Sequence, residues 1–347
     1  MPLPVLEKAR AEILSIKDSG MSVMEISHRS DLFGRILADA ERGIRDLLNI
    51  PDDYSVIFTQ GGATQQFSVI PMNFLNAGET AAFIVTGIWG EKAATEANRY
   101  GNAEIIYNGK DSGYSKIPAQ DEIDIPHGAK YLHYTSNETI DGVEFHYDLD
   151  GGSIPVVCDA SSNILSKPID IEKYDLIYSG AQKNIGPSGV TVVIVRNEML
   201  KQASNKELPG VMDLGRLAKE NSMVNTPNTW GIYLISLVCE WLTGQGGLSV
   251  MGDRNAAKAK LVYDAIDQSD GFYTGNAEPD SRSKMNVTFR LGSEELAERF
   301  CREASLSGLD GLRGHRSVGG VRASIYNAMP KEGVERLVEF MRDFRTK

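Results

Sequence analysis

Cysteine is scarce in this 347-residue chain, which holds only Cys158, Cys239 and Cys301. Three widely spaced thiols, with no CxxC and no Cys/His cluster, exclude a disulfide scaffold and give no metal-ligand spacing. Reduced thiols packed as small hydrophobes, and no bound metal, are expected. Long hydrophobic runs are missing too. The longest apolar stretch, around Trp230 to Cys239, has about half the ~20 residues of a membrane-spanning helix. The start, Met1-Pro2-Leu3-Pro4, runs into Glu7, Lys8 and Arg10 rather than a secretory apolar segment. A soluble, cytoplasmic protein is expected. Nor is there a basic surplus: 36 Lys and Arg stand against 47 Asp and Glu, a formal net charge of −11. That balance argues against a general nucleic-acid or anionic-membrane partner, although net charge does not describe a local pocket. Internal repeats, low-complexity tracts and long charge blocks are also lacking.

What is present is an ordinary globular composition, 41% apolar and 24% charged, in a chain long enough for two domains. Leu6, Ala9, Ile13 and Ile16 recur at steps of three and four and predict an N-terminal helix. Short β-rich runs then alternate with helical patterns. Strands are expected at 55–59, 81–86, 103–107, 130–135, 154–158, 176–179 and 190–195, with helices at 64–75 and 89–100 between the first three. This is βαβ rhythm, and unbroken apolar strands suit a mostly parallel central sheet with helices on both faces. Residues 108–128, rich in Gly, Asp, Ser and Pro, read as a surface connection. A helix over 253–268, strands at 285–291 and 321–325, and helices striped by Ala297, Phe300, Cys301 and Ala304 and by Val334, Leu337, Val338 and Met341 predict a smaller C-terminal α+β domain. The expected division is 1–252 and 253–347.

Ser179-Gly-Ala-Gln-Lys-Asn-Ile-Gly-Pro-Ser-Gly189 places one lysine, Lys183, in a small-residue loop between two apolar strands. Alone, it would be an exposed lysine on a turn. Another apolar strand ends in Asp159, 24 residues earlier, and in a parallel sheet the carboxyl ends of strands share the edge where ligands bind. Asp159 alone reads equally well as a turn or cap acid. Together they suit pyridoxal 5′-phosphate: the lysine amine forms a Schiff base with the aldehyde, and the carboxylate keeps the pyridine nitrogen protonated. Three further segments suit the same cofactor. Thr59-Gln-Gly-Gly-Ala-Thr-Gln-Gln66, between strand and helix, offers backbone N–H groups and a helix N-terminus to a phosphate. It lacks the GK[ST] ending of a nucleotide P-loop. Trp89 opens a helix just after a strand and can stack on the pyridine ring, although a lone Trp is more often core. Thr139, in Asn137-Glu-Thr-Ile-Asp-Gly142, can donate to the ring's phenolic oxygen or serve as a turn hydroxyl.

Five segments carry a resemblance: Met21-Ser-Val-Met-Glu-Ile-Ser-His-Arg-Ser30, Asn137-Glu-Thr-Ile-Asp-Gly142, Gly180-Ala-Gln-Lys-Asn-Ile-Gly186, Asn225-Thr-Pro227 and Gly314-His-Arg-Ser-Val-Gly-Gly-Val-Arg-Ala-Ser-Ile-Tyr-Asn-Ala-Met-Pro330. In this order, over nearly the whole chain, they resemble the phosphoserine aminotransferase family. The resemblance implies the α/β fold of pyridoxal-phosphate-dependent transferases and a homodimer whose active sites take residues from both subunits. Lys183 would be the Schiff-base lysine, Asp159 the pyridinium partner, Trp89 the stacking residue and Thr139 the ring-oxygen ligand. Ala63 and Thr64 would bind the phosphate, with Gln182 beside the lysine and Asn225 and Thr226 arriving from the neighbouring subunit. Some relatives carry Arg where Thr64 stands. The family's short Asn-Phe…Gly-Pro-Ala segment has no counterpart before Leu3-Pro4. Either the sequence starts late or some substrate contacts are absent.

The implied substrates, L-glutamate and a phosphorylated 2-oxo acid, are polyanions and call for fixed cations, for which the planar fork of arginine is the best match. By resemblance Arg322 would bind carboxylate, while His28, Arg29, His315 and Arg316 would recognise anions. In isolation each His-Arg pair is an ordinary surface pair. The implied reaction is a double displacement in which Lys183 carries the proton at the substrate α-carbon and 3-phosphohydroxypyruvate becomes O-phosphoserine. The related 4-phosphohydroxythreonine chemistry of vitamin B6 synthesis is a further possibility. Two alternatives stay open: another aminotransferase or related enzyme of the same fold, and a cofactor-binding homologue without turnover.

Overall fold

The computed structural model describes residues 1–203 and 207–346. Seven strands form the main sheet: β1 (Tyr54–Thr59), β2 (Thr80–Val85), β3 (Asn102–Asn108), β4 (Leu132–Thr135), then, after the small ladder of β5 (Asn137–Glu138) and β6 (Val143–Glu144), β7 (Val156–Asp159), β8 (Leu176–Gly180) and β9 (Thr191–Arg196). Their order is β1-β9-β8-β7-β4-β2-β3, and only β9 runs against the rest. The fold is the expected mostly parallel α/β sheet.

The period of two along each strand sorts its side chains into two apolar layers. Ala82 and Ile84 of β2, Val156 and Cys158 of β7, and Val192 and Ile194 of β9 enter one layer. Ala81, Phe83 and Val85, then Val157, then Val193 and Val195 enter the other. Helices Asp31–Leu48 and Thr229–Gly244 cover the first face, and helices Gly62–Phe74, Ile88–Ala97 and Leu214–Lys219 the second. Burial on both faces is why the strands read as continuous apolar runs.

Some expectations need correction. The N-terminal helix is Leu3–Glu12, and its buried face is Val5 and Ala9 rather than Leu6, which is 47% exposed. Ile16 is buried, but in a separate short turn beyond the helix. The reason is docking: Lys8 pairs with Glu240, and Glu12 accepts from the Tyr233 hydroxyl, so helix Thr229–Gly244 selects the face one residue away. Helix Asp31–Leu48 was not among the expected elements. The connection at 108–128 is irregular, as expected, but it is a bridge as well as a surface. Ser115 O accepts from Glu278 N, and Ser281 Oγ accepts from Ile117 N.

A second, antiparallel sheet contains β10 (Thr274–Gly275), β11 (Asn286–Arg290) and β12 (Val321–Ser324). With helices Glu294–Leu306 and Lys331–Arg345 and the end of Gly247–Asp267 it encloses its own apolar cluster, including Val262, Phe289, Phe300 and Met341. The expected boundary at 252/253 falls inside helix Gly247–Asp267. The seam between the two sheets is polar. Asn137 Nδ2 donates to Asn286 Oδ1, Thr288 Oγ1 to Asp141 O, and Asn327 N to Asn184 Oδ1. Lys258, only 3% exposed, donates to the carbonyls of Ile325, Tyr326 and Met329, and burial pushes its pKa down to about 8. Among the described residues no helix is long and apolar enough to cross a membrane.

Candidate active site

The carboxyl ends of β1, β2, β4, β7 and β8 lie along one edge of the main sheet, and each leads into a loop that bears a candidate residue. The chain steps outward from β2 to β3 but the other way from β4 to β7 and β8. The crevice between β2 and β4 is therefore the topological switch point, where open α/β sheets bind ligands. Trp89 follows β2, Thr139 follows β4, Asp159 ends β7 and Lys183 follows β8.

Lys183 Nζ donates to Thr139 Oγ1 at 2.6 Å and lies 5.3 Å from the centroid of the Trp89 ring. Burial lowers its pKa, Asp159 and Glu138 draw it back up, and the charge of Arg322 lowers it further. Asp159 is buried, and its Oδ1 accepts from Ser161 N at 2.9 Å. Burial raises its pKa, with Lys183 and the Ser161 hydrogen bonds opposing. A lysine held partly towards its neutral form beside a buried acid suits both covalent attachment and proton transfer.

The loop after β1 reaches helix Gly62–Phe74 through Gly61 and Gly62, at φ of +88° and +69°, a left-handed backbone that side chains rarely adopt. Among the described residues no side chain caps its N-terminus. Its opening N–H groups, at Ala63 and Thr64 among others, are thus available to an anion. Gln60 Nε2 donates to Thr226 O, which brings the exposed Asn225-Thr226 segment of this chain beside that loop. Gln182 is exposed next to Lys183.

The proposed anion binders are not all together. His315 and Arg322 line one cavity of about 250 Å³ with Ile88, Asp141 and Arg290. Lys183 lines a separate one of about 240 Å³ with Met1, Ser324 and Tyr326. Burial and then the charges of Arg322, Lys92 and Arg316 lower the His315 pKa. Arg316 is exposed and lines a third cavity, with Glu294 and Arg313. His28 and Arg29 sit in the turn before helix Asp31–Leu48, where Ser27 Oγ holds Arg29 N, and neither makes a hydrogen bond to the crevice residues of this chain.

The crevice fits an aromatic, anionic group. Among the described residues, the buried N–H groups Trp89 Nε1 and Arg322 Nε have no hydrogen-bond partner, a costly condition that a ligand acceptor would relieve. The glycine loop offers donors to a phosphate, and Asp159 offers a carboxylate to a ring nitrogen. Sequence reasoning missed Glu138 and Asp141, two acids at the base of the crevice, and Lys92, whose Nζ lies 4.5 Å from the Trp89 ring centroid. The signal was within reach: Glu138 and Asp141 flank Thr139 in a segment that follows a strand.

The aminotransferase class-V family matches residues 1–337. A protein of Lysinibacillus sphaericus (strain C3-41) named phosphoserine aminotransferase is 49% identical over all of this chain and 96% of its own length. The structure of phosphoserine aminotransferase from Bacillus circulans subsp. alkalophilus superposes with a TM-score of 0.97 at 48% identity, covering 100% of this chain and 96% of that one. A phosphoserine aminotransferase from Trichomonas vaginalis, described as PLP bound, gives 0.93 at 37% identity over 99% of this chain and 97% of its own.

Proposed function

The chain belongs to the class-V aminotransferases, and from that membership we propose that it is a pyridoxal-phosphate enzyme moving an amino group from L-glutamate to 3-phosphohydroxypyruvate. The products are 2-oxoglutarate and O-phospho-L-serine, which puts the reaction in serine biosynthesis. The names of the full-length relatives support the substrate pair. The observation that carries the chemistry is the meeting of Lys183, Thr139, Trp89 and Asp159 at one sheet edge.

The cofactor, when bound, supplies an electron sink for charge developing at the substrate α-carbon. Asp159, buried away from competing water, would hold the proton on the ring nitrogen. Ala63 and Thr64 would offer N–H groups to the phosphate, and Thr139, which now accepts from Lys183, would hold the ring oxygen. Lys183, its pKa already lowered by burial, would take the proton from the glutamate α-carbon in the first half-reaction and deliver one to the α-carbon of the nascent phosphoserine in the second. Arg322 pairs with the substrate carboxylate, and His315 stands beside it in the same cavity.

A homodimer belongs to the same proposal, with Asn225, Thr226, His28 and Arg29 serving the site of a second copy. Supporting it, Leu3, Leu6, Leu14, Met21 and Met24 are exposed apolar side chains around the segment that leads to His28. Separate apolar clusters support the division into 1–252 and 253–347, the last residue lying outside those described. Three unpaired thiols, all with pKa raised by burial, support a reducing compartment, the cytoplasm.

Lys183→Ala is expected to abolish glutamate-dependent formation of phosphoserine and the visible colour of the protein reconstituted with pyridoxal phosphate. Turnover by a coloured K183A protein would refute the assignment. Should the unaltered protein aminate other 2-oxo acids but not 3-phosphohydroxypyruvate, the substrate would be wrong while the lysine assignment stood.

A further inference from the structure

Helix Ile88–Ala97 begins with N–H groups that have no acceptor within the helix. Two carboxylates take them, one closing β5 and one in the turn between β5 and β6. Glu138 Oε2 accepts from Trp89 N at 3.1 Å and Oε1 from Gly90 N at 2.8 Å, while Asp141 Oδ2 accepts from Ile88 N at 3.2 Å. A carboxylate at a helix N-terminus is favourable in itself, but a surface residue in contact with water would serve that purpose. Glu138 is instead completely buried. Burial pushes its pKa up to about 8, the neighbouring Asp141 and Asp159 adding to the rise and the two N–H groups opposing it.

The fit around this carboxylate is close. A Cβ on Gly87 would stand 2.4 Å from Glu138 Cδ and 2.6 Å from Asp141 Oδ2, so only glycine leaves room for both acids. The indole of Trp89 has no polar anchor of its own, since Nε1 is unpartnered. Its ring touches Phe67, at 6.5 Å between centroids, and carries the ammonium groups of Lys92 and Lys183 over its face. The residue after Glu138, Thr139, holds Lys183. Two consecutive residues thus bind the backbone of the tryptophan and the side chain of the lysine.

We infer that Glu138 is a positioning residue: it fixes the backbone of Trp89 so that the indole faces the space above Lys183, in register with Thr139. Glu138 touches neither the cofactor nor substrate, and the inference rests on the pyridoxal-phosphate reading above. Ionised, at a pH above about 8, the Glu138 side chain accepts from two donors, so the isosteric Glu138→Gln leaves one acceptor for two N–H groups, and the variants are compared at about pH 9.

The test compares the unaltered protein, E138Q, W89F and E138Q/W89F, all loaded with pyridoxal phosphate, by visible circular dichroism of the bound cofactor and by kcat and KM for glutamate. E138Q is expected to lose at least half of the visible dichroism and, on the order of tenfold to a hundredfold, kcat. In the W89F background the same change is expected to add little, because the two residues act as one unit. A lowered Tm with unchanged dichroism and kcat makes Glu138 an ordinary helix cap and overturns the inference. So does an E138Q effect of full size in the W89F background. If E138Q does not fold, D141N, which weakens the same anchor at Ile88, is read by the same outcomes at smaller size. An unaltered protein that gains no visible band overturns the cofactor reading and this inference together. A normal band with an unaltered E138Q spectrum overturns the inference alone.

Discussion

A carboxylate that ionises late in the folded chain makes stability fall as the solution becomes alkaline. Glu138 has its pKa raised to about 8, against roughly 4.3 in an unfolded chain. Between those values the folded state binds the extra proton, so its contribution is complete below the lower value and is lost as pH rises through the upper one. His133 works in the opposite direction, since burial lowers its pKa to about 3 and its contribution is lost only as pH falls below about 6.5. Lys258 acts above about pH 8. The Glu138 contribution to the unfolding free energy of the cofactor-free protein, read from urea titrations, is therefore expected to fall between about pH 6.5 and 8, by up to about 1.4 kcal/mol per pH unit. E138Q should flatten that slope, and an equal slope in E138Q would assign it to another group. Lys183 and Asp159 were legible in the sequence because an acid closing an apolar strand and a lysine in a small-residue loop are both unusual. Glu138 was not, because a turn acid looks the same whether water or a helix N-terminus receives it.

Helix Asp31–Leu48 shows what a sequence contains without its being read. Phe33, Ile36, Leu37, Ala40, Ile44 and Leu48 are its buried face, at helical spacing. Ser30 Oγ accepts from Phe33 N at the start, and Asn49 ends the helix in the left-handed region at φ +52°. Ser30→Ala is expected to lower stability by about 1 kcal/mol, measured by thermal unfolding, while leaving the cofactor spectrum unchanged. No change in Tm would mean that water replaces the cap without cost. The strands of the main sheet were legible because burial on both faces leaves little room for polar residues. β10 was not, since Thr274-Gly275 is too short to show a period and is recruited by its neighbour β11. The bridge role of 108–128 escaped for a different reason: its contacts are made by backbone groups and small hydroxyls, which leave no apolar pattern.

At the scale of the molecule, the net charge of −11 coexists with a crevice that gathers His315, Arg322 and Arg290. His28 and Arg29 lie elsewhere in the same chain, apart from the cavity that His315 and Arg322 line. The proposed homodimer with shared sites has a consequence for mixtures. K183A and R29A proteins, each inactive alone, are expected to regain activity when unfolded and refolded together, because a hybrid dimer has one site with both residues intact. In a symmetric dimer with random pairing the recovery would be roughly a quarter of the unaltered turnover. No recovery would mean that Lys183 and Arg29 of a single copy serve the same site, or serve none. The amine of Lys258, clasped by three backbone carbonyls of the segment that follows β12, gives the intact protein a built-in counter. With its pKa down to about 8 it is nucleophilic near neutrality, yet an acylating reagent meets it only when that clasp opens. The rate at which label accumulates at that one lysine therefore reads how often helix Gly247–Asp267 and the 325–329 segment part within the C-terminal unit.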